Sequence, residues 1–170
     1  MIFYLTPDGR HGLVVSVVDM KDSLNSYLIN WSPDKTPIGA KGNFLMFGED
    51  YTTAGKLNTE LIVKNYSPAS NNYAAKACMN YSYQMNGVTY DDWYLPSLIE
   101  LGLILEMNAE INTALGSISG SAQLSTGVYW SSFEYNTDIA LAWDFSGEGQ
   151  SSKEKNPASP ECRVRAVRAF

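Results

Sequence analysis

From Leu141 to Phe145 the large apolar residues fall on alternate positions, with Ala142 and Asp144 between Leu141, Trp143 and Phe145. A period of two is the mark of a half-buried strand. The stretch that follows, Gly147 to Glu161, is polar, rich in Ser, Gly and Pro, and has almost nothing apolar to pack, so it reads as a solvated loop. A buried strand that leads into such a loop presents side chains to a partner. Near the start, the apolar runs Ile2 to Leu5 and Gly12 to Val18 flank Pro7-Asp8-Gly9, a turn signal, and predict a β-hairpin. Asp19 to Asp50 breaks into scattered Pro and Gly. Trp31, Phe44 and Phe47 in it need burial, which predicts an irregular but packed excursion.

Helical spacing occupies the middle of the chain. Asn58-Thr59-Glu60 reads as the capped first turn of a short helix through Leu61, Ile62 and Val63. Ala74, Ala75, Cys78, Tyr81 and Met85 recur at intervals of three and four, predicting a helix from about Asn72 to Gln84 that Asn86-Gly87 terminates. Ser97 and Glu100 have capping-box spacing, and Pro96 keeps Leu95 extended, so a helix begins there and runs to about Glu106. A further short helix is predicted over Asn108 to Leu115, and Gly116 to Gly127 is a loop. No repeat is present. Strands, then helices, then strands predict a single α+β domain over residues 1–170, with two or three helices on a mixed or antiparallel sheet in which the N- and C-terminal strands pair.

Composition narrows the function. A chain of 170 residues fits one domain with a real core. Its 11 Tyr and 4 Trp supply side chains that suit surfaces both apolar and hydrogen-bonding. A net charge of -6 argues against nucleic acid, since phosphate binding needs a clustered positive field and only Arg163, Arg165 and Arg168 cluster. No apolar run is long enough to span a membrane. The first residues lack the pattern of a signal peptide, so either the protein is intracellular or phage-borne or the chain begins after a leader or an upstream domain; the last is the preferred reading, because Ile2 to Leu5 already reads as a strand. Cys78 and Cys162 are either one bridge or two small buried thiols.

Seven motifs in order resemble a bacterial domain family. They are Gly9-Arg10-His11-Gly12-Leu13-Val14-Val15; Asn58-Thr59; Ala74-Ala75 with Cys78 and Tyr81; Asp92-Trp93-Tyr94-Leu95-Pro96-Ser97 with Glu100-Leu101; Tyr129-Trp130-Ser131-Ser132; Asp144-Phe145-Ser146; and Val164-Arg165-Ala166-Val167-Arg168. The family is typified by the C-terminal domain of collagen-like adhesins and the major paralogous domain of surface lipoproteins. The resemblance spans nearly the whole chain. It implies a C-type-lectin-like fold, of the branch that includes the formylglycine-generating enzyme, used for ligand binding on bacterial surfaces and phage tails. Related domains serve as the variable proteins of diversity-generating retroelements. The chain departs from the pattern at Leu141, with an aromatic displaced to Trp143, and at Ala166, where the family often has Cys. Cys162 is the resemblance's substitute partner for Cys78.

The chemistry of the residues points the same way. His11 is the only histidine and has no triad-like context; a structural histidine by the turn is the preferred reading. Cys78 on an inward helix face and Cys162 in a Pro-rich loop do not form the reactive pair of the oxidase relatives. Zinc wants several Cys or His at close spacing, and calcium-dependent sugar binding wants triplets that do not occur, so neither metal nor cofactor is expected. Trp130 and Trp143 read as core, and Arg163, Arg165 and Arg168 as partners for carboxylates.

The expected ligand-binding residues are Phe133, Tyr135, Asn136 and Asp138 after the Tyr-Trp-Ser-Ser strand, and Ser146, Glu148, Gln150, Ser151, Lys153 and Asn156 after the Asp-Phe-Ser strand. Aromatics mixed with short hydrogen-bonding side chains stack on sugar rings or fill a protein hot spot; the alternative is a solvated loop with one packed aromatic. The expectation is a non-enzymatic recognition domain, extracellular, on a cell surface or on a phage particle, binding a host or bacterial glycan or protein. The rival is a structural module of a pilus or tail fibre whose loops contact a neighbouring subunit in an oligomer.

Overall fold

The computed structural model describes residues 1–41, 54–66 and 72–170. Phe44, Phe47 and the two glycines near them lie outside the described residues, whereas Trp31 is fully buried as expected.

The N-terminal hairpin forms as its turn signal predicts. Strands β1 (Ile2–Leu5) and β2 (Gly12–Val15) pair antiparallel. Gly9 turns the chain at φ 68°, and the Asp8 carboxylate accepts from the Thr6 hydroxyl and the Arg10 amide. The second strand stops at Val15 and not Val18, because Ser16 and Met20 turn their amides to Ala166 and Val164.

Helix α1 spans Ala54–Tyr66, four residues earlier than the Asn58 cap predicts. Asn58 and Thr59 are buried inside the helix, with partners far away in sequence. The Asn58 amide donates to the Ser132 hydroxyl at 3.2 Å, and the Thr59 hydroxyl accepts from the Leu95 amide at 2.9 Å. Helix α2 (Ala74–Met79), by contrast, is shorter than predicted. Instead of continuing to Gln84 the chain forms a hairpin, β3 (Tyr83–Met85) with β4 (Val88–Tyr90). Asn86 and Gly87 have φ 52° and 78°. Positive φ at both central residues is what a type I′ hairpin turn requires, so Asn-Gly acts here as a hairpin turn and not as a helix cap.

Helix α3 (Leu98–Glu106) starts on the predicted capping box. The Ser97 hydroxyl accepts from the Glu100 amide, and the Glu100 carboxylate accepts from the Ser97 amide at 2.6 Å. The Tyr94 hydroxyl donates to the other carboxylate oxygen at 2.8 Å. A side chain at Gly55 of α1 would collide with this carboxylate, so glycine is what lets α1 pack on the cap. Helix α4 (Asn108–Gly116) follows where a further short helix is predicted, so the described residues hold four helices, one more than the upper figure expected for the fold.

The last third of the chain holds the second main sheet, β5 (Val128–Glu134), β6 (Ile139–Asp144) and β7 (Gly149–Glu154), antiparallel in the order β5-β6-β7. The Gly147 to Glu161 stretch is therefore not all loop. Strand β8 (Val167–Ala169) pairs antiparallel with β2, so the two ends of the chain share the sheet β1-β2-β8 as predicted. The fold is α+β, with three small antiparallel sheets.

Two apolar cores lie on either side of β5. Successive side chains of a strand point to opposite faces. Tyr129 packs with Leu13, Leu101 and Phe145, whereas Trp130 packs with Trp31, Tyr73 and Cys78. The indoles are satisfied: Trp130 donates to the Ile29 carbonyl at 2.7 Å and Trp31 to the Ser131 carbonyl at 2.8 Å. Between Trp130 and Glu134 the register with β6 slips. In that bulge Ser132 and Glu134 turn their amides to the Pro96 and Ala40 carbonyls, which ties β5 to two loops.

Buried charge completes the core. Asp19 accepts from Arg165 Nη1 at 2.9 Å, from Arg163 Nη1 at 3.3 Å and from the Tyr129 hydroxyl. All three arginines expected to pair with carboxylates do so, Arg168 with Asp92.

Burial raises the Glu100 pKa to about 7. A carboxyl whose folded pKa lies above its unfolded value holds a proton that the unfolded chain has released. Stability is thus expected to fall as pH rises from about 4.5 to about 7 and then to level off. Urea unfolding at pH 5 and pH 8 should show the native chain losing roughly 2 to 3 kcal/mol more than Glu100→Gln over that interval. Parallel pH profiles for the two would exclude Glu100 as the titrating group.

Candidate functional site

The β6–β7 hairpin carries five of the ten residues expected to bind, Ser146, Glu148, Gln150, Ser151 and Lys153. Pairing Ile139 with Glu154, Leu141 with Ser152 and Trp143 with Gln150 puts those six side chains on one face. Helix α3 covers the β6 part of this face: the Trp143 indole donates to the Leu98 carbonyl at 2.7 Å, and Gly102 lies against its ring. The β7 part stays open, so Gln150, Ser152 and Glu154 are exposed in a row while Ser151 and Lys153 are half-buried on the opposite face. On that opposite face Lys153 pairs with Glu161 at 3.2 Å beside a small pocket of about 90 Å³ that reaches Trp130 and Cys162.

A turn lies at each end of β6, one joining it to β5 and the other to β7. At one end, Tyr135 is 59% exposed. Asn136 Oδ1 accepts from the Asp138 and Ile139 amides, both at 2.9 Å, which fixes the turn. Lys35 bridges Asp138 and Glu154 at 3.4 and 2.5 Å, and the two carboxylates raise its pKa. At the other end, Ser146 and Glu148 are exposed around Gly147. The Asp144 carboxylate accepts from the Ser146 amide at 2.8 Å, and bonding to Ser146 lowers the Asp144 pKa.

The expected residues therefore do not form one patch. Strands of six residues separate the two turns by roughly 17–20 Å. Tyr135, Asn136 and Asp138 group at one end with Lys35 and Glu154, and Ser146 and Glu148 stand at the other, with Gln150 near them on β7. Phe133 is half-buried at the bulge. Asn156 is a structural pin, accepting from Asn30 at 2.5 Å and donating to the Pro33 carbonyl at 2.8 Å. Sequence reasoning missed Ser152, Glu154 and Lys35. The alternation of β7 could have found the first two only if a strand had been suspected where no apolar residue occurs.

A buried ion pair supports the Tyr135 turn. Glu134 is 1% exposed and Lys155 is fully buried, with 2.7 Å between Nζ and Oε1. The Glu134 carboxylate also accepts from the Ile38 and Gly39 amides, and Lys155 Nζ donates to the Thr36 carbonyl and lies 5.3 Å from the centre of the Trp31 ring. Residues on either side of the exposed turn are thus locked to the 36–40 segment.

No protein-family model matches the chain, and no curated protein matches it. The two thiols lie in the core and not on this face. Cys78 and Cys162 are free thiols, both fully buried in the same core, and burial pushes the first well above its ordinary pKa and the second up to about 12. His11 is exposed beside the first turn, with its amide held by the Thr6 hydroxyl. Among the described residues no helix is long and apolar enough to cross a membrane.

Removing one member of a buried pair leaves the other charge uncompensated, at a typical cost of about 3–5 kcal/mol. Glu134→Ala is expected to destabilise the chain by that order, whereas Glu154→Ala, which breaks only the exposed bridge to Lys35, should change stability by less than about 1 kcal/mol. Chemical denaturation of the two variants beside the native chain measures both. Equal effects would mean that the buried pair does not hold the turn.

Proposed function

We propose that the chain is a non-enzymatic recognition domain with a C-type-lectin-like fold, which binds a glycan or protein through the β7 face and the Tyr135 turn. The observation that carries the reading is the exposed polar row Gln150, Ser152 and Glu154, leading to an exposed tyrosine on a turn whose base is locked by Glu134 and Lys155. Rigid aromatic contact surface beside adaptable hydrogen-bonding groups suits both sugar rings and protein hot spots.

Support for the fold comes from how the motifs behind the resemblance meet. Thr59 bonds Leu95, Asn58 bonds Ser132, Ser132 bonds Pro96, and Tyr94 exchanges both backbone bonds with Val167. Residues scattered over the whole chain thus interlock around β5. A surface or phage location, and diversification of the hairpin by a retroelement, belong to the same proposal. That Cys78 and Glu100 are sealed in the core, and that the pocket reaching Cys162 is only about 90 Å³, supports a binding role over catalysis.

A glycan array, followed by titration of the best ligand, tests the reading. Tyr135→Ala with Ser152→Ala is expected to weaken binding at least about tenfold, and to move the Tm by less than about 4 °C, as surface substitutions do. Phe133 is left intact because its half-buried ring would cost stability. Undiminished binding by this variant would place the site elsewhere. A stable trimer in solution that buries Tyr135 would favour the subunit-contact module.

A further inference from the structure

Hairpin β3–β4 and the sheet β1-β2-β8 enclose a groove of about 490 Å³, remote in sequence from the β7 face. Ile2, Val14 and Phe170 form one wall; Tyr83, Met85 and Tyr90 form the other, with Trp93 between them. Ile2, Met85 and Phe170 are 48%, 49% and 41% exposed. A single exposed apolar residue is ordinary, but several converging on one concavity of this size mark a ligand site.

Among the residues lining the groove, one side chain is charged, Arg168. Its Nε bonds the Asp92 carboxylate, and its guanidinium lies over the Tyr90 ring, 4.9 Å from the centroid. These contacts orient the group and leave Nη1 and Nη2 without a hydrogen-bond partner among the described residues. A guanidinium held flat on an aromatic ring, with both terminal nitrogens available, matches a planar carboxylate through two parallel hydrogen bonds. The neighbouring Asp92 and a net charge of -6 penalise a dianion more than a monoanion.

The geometry points to a second binding site, for a small amphipathic carboxylate whose apolar chain lies in the groove and whose carboxylate sits on Arg168. Tyr83 and Tyr90 flank the chain, and Ile2, Met85 and Phe170 close over it. This site is independent of the β7 face, so either can fail without the other.

Decanoate is the probe, with decanol as its uncharged counterpart, each titrated into the full chain and followed by amide and indole NMR shifts. Saturable shifts are expected at Met85, Tyr90, Trp93 and Phe170, with decanoate bound about tenfold more tightly than decanol, as a charge-assisted pair allows. Arg168→Gln should lower decanoate to the decanol level and leave decanol unchanged. Met85→Glu, on an exposed hairpin position where folding is not at stake, should weaken both. Equal binding of the two probes, unchanged decanoate affinity in Arg168→Gln, or shifts spread over the whole chain would overturn the proposal. So would a doubled solution mass with the groove signals already shifted before any probe is added, which would mean that a second copy fills it.

Discussion

Arg165 is fully buried, and the structure depends on the carboxylate that compensates it. An isolated charge in a protein interior is costly, and here Asp19 supplies the counter-charge while also accepting from Arg163 and Tyr129. Arg165 Nη2 donates to the Ala122 carbonyl, and Tyr129 accepts from the Ser125 amide. One carboxylate thereby joins the segment after β2, the loop before β5, β5 itself and the stretch that leads into β8. Apart from β5, which pairs with β6, these segments lack a regular ladder that would hold them otherwise. Desolvation and the neighbouring Asp19 charge push the Tyr129 pKa upward, which keeps its hydroxyl a neutral donor in the network.

Where local chemistry decides structure, the sequence was readable. The Ser97 and Glu100 cap needs only residues three apart, and the β1–β2 hairpin only a turn between two apolar runs; both form where expected. Misreadings came where distant partners decide. Asn58 and Thr59 look like a helix start because short polar residues usually cap, but Ser132 and Leu95 satisfy them inside α1. Tyr81 and Met85 happen to continue the spacing of α2, which disguised Asn86-Gly87 as a cap. Strand β7, Gly-Gln-Ser-Ser-Lys-Glu, has no apolar residue, and its strand character is set by pairing with β6.

The candidate site was legible in part for the same reason. Tyr135 and Asn136 sit in a turn that their own sequence signals, so their exposure could be read. Asn156 and Lys155 have polar side chains like their neighbours, yet one pins a loop and the other is buried on Glu134, facts set by residues 30 to 40 and 134. Likewise the apolar groove joins the first and last strands to a hairpin near residue 87, a proximity that no local pattern contains.

Adjacent residues Tyr129 and Trp130 belong to different cores, so a single peptide bond lies between the two halves of the packed interior. Neither half can lose its packing without releasing β5, and releasing β5 exposes the other. The chain should consequently melt as one cooperative unit, with the amides of β5 exchanging with solvent only through global unfolding, while the small β3–β4 hairpin opens on its own.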